Sequence, residues 1–256
     1  MAQALTGRHA LVTGAGRGIG AAIAQALAEQ GARVTLLART AAQLAETAAA
    51  MPGEPVTVVA DVTDPQQVER AFAEARERAG PIHILVNNAG QAVSKALVKS
   101  DDEFWQQVLA VNLDSVHHCT RAALPAMLEA NWGRIINIAS TAGLRGYAYC
   151  TAYCAAKHGV VGMTRALALE VARTGITVNA VCPGYTNTGV VREAVKNISA
   201  KTGRSESEAR ERLVSFNPQL RLVRREEVAN AVLWLCSPGS ESITGQSIAV
   251  AGGEVT

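Results

Sequence analysis

The sequence predicts a single α/β domain: a doubly wound, Rossmann-type parallel sheet of about seven strands, with helices on both faces. Three observations carry that expectation. Short β-rich runs alternate with helix-length amphipathic stretches along the chain, as successive βαβ units do when both sheet faces are covered. A length of 256 residues suits one large domain and would cramp a second. Composition is globular, with 48% hydrophobic and 18% charged residues, far from chains that stay disordered.

The elements follow in order. His9 to Thr13 reads as the first strand, and a helix runs from about Gly18 to Gln30 with Ile19, Ile23 and Leu27 on one face. Gly31 then suits the left-handed residue that ends a helix. Arg33 to Ala38 is the second strand, Ala41 to Ala50 a helix, and Val56 to Ala60 the third strand. Asp64-Pro65 supplies an N-cap and a first-turn proline for a helix reaching about Ala79. Ile82 to Val86 is the fourth strand, one long helical stretch fills much of Asp101 to Ala130, and Arg134 to Ala139 is the fifth strand. A helix from about Tyr153 to Arg173, a strand from Ile176 to Val181, a helix from Glu226 to Cys236 and a last strand, Ser247 to Val250, complete the pattern. Residues 186–219 break it, being polar, charged and helical without a strand. They read as a helical insertion over the site or as a surface excursion.

The first strand runs into Thr13-Gly14-Ala15-Gly16-Arg17-Gly18-Ile19-Gly20. Glycines there permit a tight turn and close backbone approach to a pyrophosphate, while the helix N-terminus offers free N–H groups and a favourable dipole. A strand–turn–helix setting gives this cluster its meaning. The second strand ends Leu37-Ala38-Arg39-Thr40, without the acid that would bind a ribose 2′-hydroxyl. Arg39, with Arg17 beside it in the glycine turn, suits bidentate contact to a 2′-phosphate, so NADP(H) is expected over NAD(H). The competing reading of Arg39 is a solvated surface side chain.

A net charge of +2 and few aromatics give no footprint for nucleic acid. The five cysteines, an odd and scattered set, suit a reducing compartment and show no metal spacing. No metal site is expected from His117, His118 or His158, which lack a carboxylate partner at ligand spacing. No signal peptide is read in Met1–Ala10 and no run approaches the roughly 18 apolar residues of a membrane span, so a cytoplasmic protein is expected.

These residues resemble the short-chain dehydrogenase/reductases over nearly the whole chain, from Leu11 to Gly253. The pieces stand in family order: Thr13-Gly14-x-x-x-Gly18-x-Gly20, Asp61, Asn87-Asn88-Ala89-Gly90, Asn112, Ser140, Tyr153-x-x-x-Lys157 and Pro183-Gly184. Within the family the chain looks most like 3-ketoacyl carrier-protein reductases and aromatic polyketide ketoreductases, through residues 134–143 and 174–184. The resemblance implies that Asp61 and Val62 contact the adenine and that Asn88, Ala89 and Gly90 run beside the adenosine ribose. It also implies that Thr186 and Thr188 reach the nicotinamide side, that Asn112 anchors a water linking Lys157 to solvent, and that the protein is a homotetramer. The segment 186–219 is longer than in the compact ketoacyl reductases, which leaves the substrate class open.

Tyr153 and Lys157, four apart on one helix, share a face. A tyrosine is a poor base at neutral pH, and a nearby ammonium is expected to favour its phenolate. In reduction the phenol gives its proton to the carbonyl oxygen, and Ser140 holds that oxygen. Alone, Tyr-x-x-x-Lys is ordinarily a surface pair and Ser140 a helix cap; their joint occurrence with the glycine turn points to chemistry. Tyr147 and Tyr149 are candidates for the substrate pocket or for plain packing. Basic residues of 186–219, such as Arg192, Lys196 and Arg210, could meet the phosphates of a coenzyme A or carrier-protein thioester, or simply be solvated. The expected activity is NADPH-dependent reduction of a ketone such as a 3-ketoacyl thioester. Oxidation of a secondary alcohol, or a non-catalytic NADP(H) sensor, are the alternatives.

Overall fold

The computed structural model describes residues 3–255, apart from the side chains of Val190 and Lys201. Its elements are β1 (His9–Thr13), α1 (Gly18–Glu29), β2 (Arg33–Ala38), α2 (Ala41–Ala49), β3 (Val56–Val59), α3 (Pro65–Ala79) and β4 (Ile84–Asn87). There follow α4 (Asp102–Leu109), α5 (Ser115–Glu129), β5 (Gly133–Ile138), α6 (Thr151–Glu170), β6 (Ile176–Pro183), α7 (Gly189–Thr202), α8 (Glu206–Val214), α9 (Arg225–Cys236) and β7 (Ser247–Val250). All seven strands are parallel, in the order β3-β2-β1-β4-β5-β6-β7. The order reverses direction between β1 and β4. Ligands of open α/β sheets sit in the crevice at such a point, beyond the carboxyl ends of the strands.

Every residue of β1, β4, β5 and β6 is buried, as expected where helices cover both sheet faces. One core layer packs Ile23 and Leu27 of α1 against Val228, Val232 and Leu235 of α9 and the sheet. The other packs Phe72 of α3 and Met127 of α5 against Leu11, Leu85 and Ile135. Phe72 is wholly buried, and its truncation to alanine removes about 3–5 kcal/mol. The Asp64 cap forms as its sequence suggests, with the side chain accepting from the Gln66 and Gln67 backbone amides.

One element departs from expectation. The helix expected across Asp101–Ala130 is interrupted by a π-helical turn, Ala110–Asp114, between α4 and α5. Residues 186–219 form two helices with their own small apolar cluster, Val191, Val195, Ala209, Leu213 and Leu222. Among the described residues no helix is long and apolar enough to cross a membrane.

Candidate active site

The glycine turn is built from backbone. Gly14 and Gly18 have φ of +64° and +63°, where a side chain is strained. A Cβ on Gly20 would lie 2.4 Å from the Gly14 carbonyl oxygen and 2.5 Å from Asn88 Nδ2, so α1 can approach β1 only with glycine there. Asn88 Nδ2 donates to the Thr13 and Gly14 carbonyls, and Thr13 Oγ1 accepts from the Asn88 and Ala89 amides. Asn88 and Ala89 thus latch the turn as well as bordering it. Thr13 was not among the site residues expected from sequence, although it opens the motif.

The turn suits a pyrophosphate. Arg17 caps α1 without a side-chain bond to the helix, and no acidic residue stands in the first turn, so free N–H groups face an uncontested field. Gly16 packs against Gln43, and Ile19 packs partly into the core. Across the trench, a Cβ on Gly18 would come within 3.6 Å of the Thr188 methyl at the start of α7.

Beside the ends of β2 and β3, Arg17 and Arg39 are exposed, and Arg39 lies 3.7 Å from Asp61. Asp61 Oδ1 accepts from the Thr63 amide and hydroxyl at 2.9 and 2.8 Å. The Val62 side chain packs in the core, which leaves only its backbone for any ligand. At the other end, Pro183 closes β6 and the Gly184 amide donates to the Val250 carbonyl. Thr186 is buried and its hydroxyl donates to the Gly184 carbonyl, which shapes the loop.

Ser140 stands two residues beyond β5 and caps a short turn, accepting from the Ala142 amide at 3.1 Å. Tyr153 and Lys157 lie in the first two turns of α6, with Lys157 Nζ 5.8 Å from the Tyr153 ring centre. Lys157 is buried and donates to the Ile138 carbonyl at 2.9 Å, and burial lowers its pKa to about 8. The expected pull of the lysine toward a phenolate is outweighed at Tyr153. Burial dominates Tyr153 and pushes it up to about 12, opposed by a hydrogen bond from Ser140.

Asn112 lies at the centre of the π turn and is wholly buried. Its amide donates to the Val108 and Gln91 carbonyls, and Oδ1 accepts from the Gln91 amide. Both of its donors are therefore spent on backbone, and only one oxygen lone pair is left for a water. Gly90 sits between the groups. A Cβ there would be 2.9 Å from Asn112 Oδ1 and 3.6 Å from Lys157 Nζ.

Tyr147 and Tyr149 separate. Tyr149 is mostly exposed and holds a left-handed backbone (φ +66°). Tyr147 turns inward, edge-on to Tyr185 and Phe216, and its hydroxyl bonds to Thr141 and to Glu254. Glu254 escaped sequence reasoning. Its only signal was a lone acid after Gly252-Gly253 at the end of an apolar strand.

The short chain dehydrogenase family model matches residues 8–199. A putative ketoacyl reductase of the granaticin polyketide synthase from Streptomyces violaceoruber is 45% identical, covering 95% of this chain and 92% of that protein. A D-beta-hydroxybutyrate dehydrogenase from Cupriavidus necator is 40% identical, covering 94% and 95%. A crystal structure of an actinorhodin polyketide ketoreductase variant with NADPH superposes with a TM-score of 0.94 at 42% identity, covering 96% and 97%. The chain belongs to the short-chain dehydrogenase family and is an oxidoreductase acting on CH–OH or C=O groups.

Proposed function

We propose that the protein reduces a ketone, of the 3-ketoacyl thioester class, to a secondary alcohol with NADPH, and that Tyr153 is the general acid. The observation that carries this reading is the convergence of Ser140, Tyr153 and Lys157 beside the glycine-lined trench, with Tyr153 kept as a phenol. A phenol raised to about 12 is protonated at neutral pH, the form that reduction consumes.

NADPH, when bound, supplies the hydride. Gly14, Gly16, Gly18, Ile19 and Gly20 would hold its pyrophosphate, and Arg17 and Arg39 its 2′-phosphate, with no acid at the end of β2 to oppose them. Asp61 and the Val62 backbone would meet the adenine. Asn88, Ala89 and Gly90 would flank the ribose, and Pro183, Gly184, Thr186 and Thr188 would shape the nicotinamide side. The Ser140 hydroxyl orients the ketone oxygen and stabilises charge developing on it. Tyr153 Oη delivers its proton to that oxygen, and Lys157 steadies the phenolate left behind. Asn112 Oδ1 has room for one water, through which Lys157 can exchange a proton with solvent.

The basic positions of α7 and α8 suit the phosphates of a coenzyme A or carrier-protein thioester, and the two helices act as a lid that excludes water. A homotetramer would cover apolar residues left exposed on α6 and α9, Leu169 and Trp234; sedimentation equilibrium reads it directly.

The test is the initial rate of NADPH oxidation with acetoacetyl-coenzyme A, with NADH in parallel and Tyr153→Phe as control. Turnover preferring NADPH and lost in the variant supports the reading. Turnover that persists in Tyr153→Phe removes Tyr153 as the acid. A second reading, oxidation of a 3-hydroxy acid, is favoured by the 40% identity to a hydroxybutyrate dehydrogenase. Faster turnover of 3-hydroxybutyrate with an oxidised cofactor would select it.

A further inference from the structure

We infer that Glu254 is a positioning residue of the substrate pocket, and that the strap Ala251–Glu254 holds Tyr147 and the base of the α7–α8 insertion in place. The inference rests on the reading of 186–219 as the substrate side of the site.

Five contacts converge on these residues. Glu254 Oε1 accepts from the Tyr147 hydroxyl, and the Glu254 main-chain oxygen accepts from Arg145 Nη1 at 3.3 Å. Glu254 Oε2 has no hydrogen-bond partner among the described residues and lies against Gly184, where a Cβ would come within 2.8 Å of it. Gly252 (φ +62°) runs so close to Asn217, just after α8, that a Cβ would sit 2.0 Å from Oδ1. A Cβ on Gly253 would meet Pro218 at an ordinary van der Waals distance of 3.5 Å. The strap therefore touches the loop after β5, the loop after β6 and the base of the insertion at once.

Tyr147 is the hub of the aromatic wall. Its ring centre is 6.5 Å from Tyr185 and 5.9 Å from Phe216, at steep angles of 84° and 68°. Tyr147 Oη lies 2.7 Å from Thr141 Oγ1, one residue beyond Ser140. Its orientation thus joins the wall to the reacting end of the site.

Glu254 is only 8% exposed, and burying a carboxyl with one oxygen unpartnered is costly. It stands beyond the last strand, where neither sheet nor core needs it. The charged and titratable groups around it are Arg145, Tyr147 and Tyr185, and burial raises its pKa. An acid kept at such a cost is explained by what it holds.

The experiment compares wild type with Glu254→Gln, Glu254→Leu, Tyr147→Phe and the Glu254→Leu/Tyr147→Phe double variant. It reads KM and kcat for a bicyclic ketone and for cyclohexanone, NADPH affinity by fluorescence, and hydrogen exchange of residues 186–219. We expect Glu254→Leu to raise KM for the bicyclic ketone about tenfold, and at least fivefold more than for cyclohexanone, with NADPH affinity held within twofold. Tyr147→Phe should match it, the double variant should add nothing, and Gln should restore part of the loss. Exchange in α7 and α8 should rise in Glu254→Leu while the strands stay protected. Equal KM changes for both ketones, additive single effects, or a parallel loss of NADPH affinity overturns the inference, as does unchanged exchange in the insertion. If wild type reduces neither ketone, the acetoacetyl-coenzyme A assay still tests the ketone reading by itself, and the exchange arm decides the strap.

Discussion

The glycine turn and the aromatic cluster around Tyr147 belong to loops of one sheet and are built by opposite means. The trench is backbone: glycines without Cβ atoms, carbonyls latched by Asn88, and a helix N-terminus without side-chain competition. The cluster is side chain: Tyr147, Tyr185, Phe216 and Glu254 come from four separate segments and touch only in the folded chain. A site of backbone is broken by adding atoms, and a site of side chains by removing them. Tyr153 and Lys157 stand between the two.

The largest expected effect is at that junction. Tyr153→Phe should lower kcat/KM for ketone reduction by about 10²–10⁴, measured at saturating NADPH with circular dichroism as a fold control. A fall of less than tenfold would move the acid elsewhere. Next, Gly20→Ala should weaken NADPH binding by roughly 10- to 100-fold in a fluorescence titration, since its Cβ overlaps Gly14 and Asn88 at a cost of about 1–3 kcal/mol. Unaltered binding would mean that the trench is less rigid than its close contacts indicate. Arg39→Asp should shift the NADPH/NADH ratio of kcat/KM toward NADH by about tenfold or more, through repulsion of a 2′-phosphate. No shift would leave Arg39 as a surface partner of Asp61.

Two pH effects are smaller. Lys157, lowered to about 8, is an ammonium below that pH and neutral above it. The rate of reduction should therefore decline as pH rises through about 8, and a rate profile flat to pH 9 would detach Lys157 from the chemistry. The second lies at the far end of β1. His9 is buried, held by Gly80 and Thr35, and burial lowers its pKa below 6.5. The unfolded chain then binds the proton more readily, so stability falls as pH drops from 6.5 toward the lowered native value. The melting temperature should drop between pH 7.5 and 5 by a few degrees more in wild type than in His9→Gln.

Much of the trench was readable because its logic is local. Gly14, Gly18 and Gly20 fall within one turn, and the strand before it and the helix after it announce themselves by periodicity. Tyr153 and Lys157 were readable for the same reason, being one helical turn apart. Asn112 was readable as a residue but not in its setting. Nothing in the residues from Asp101 to Ala130 signals a π turn, because its extra residue is accommodated by bonds from Asn112 to Val108 and to the distant Gln91. The direction of the Tyr153 shift was missed because spacing shows the neighbouring lysine and not the burial that outweighs it.

By itself the sequence determined the alternation of strands and helices, the glycine turn and the order of the Ser140, Tyr153 and Lys157 set. Each depends on backbone preferences and periodicities spanning a few residues. Only the tertiary structure decided that Thr186 is buried with its hydroxyl on the Gly184 carbonyl, that Tyr147 faces inward while Tyr149 does not, and that Glu254 meets the Tyr147 hydroxyl. Those outcomes depend on contacts between segments as far apart as Tyr147 and Glu254, and on burial, which no local pattern encodes.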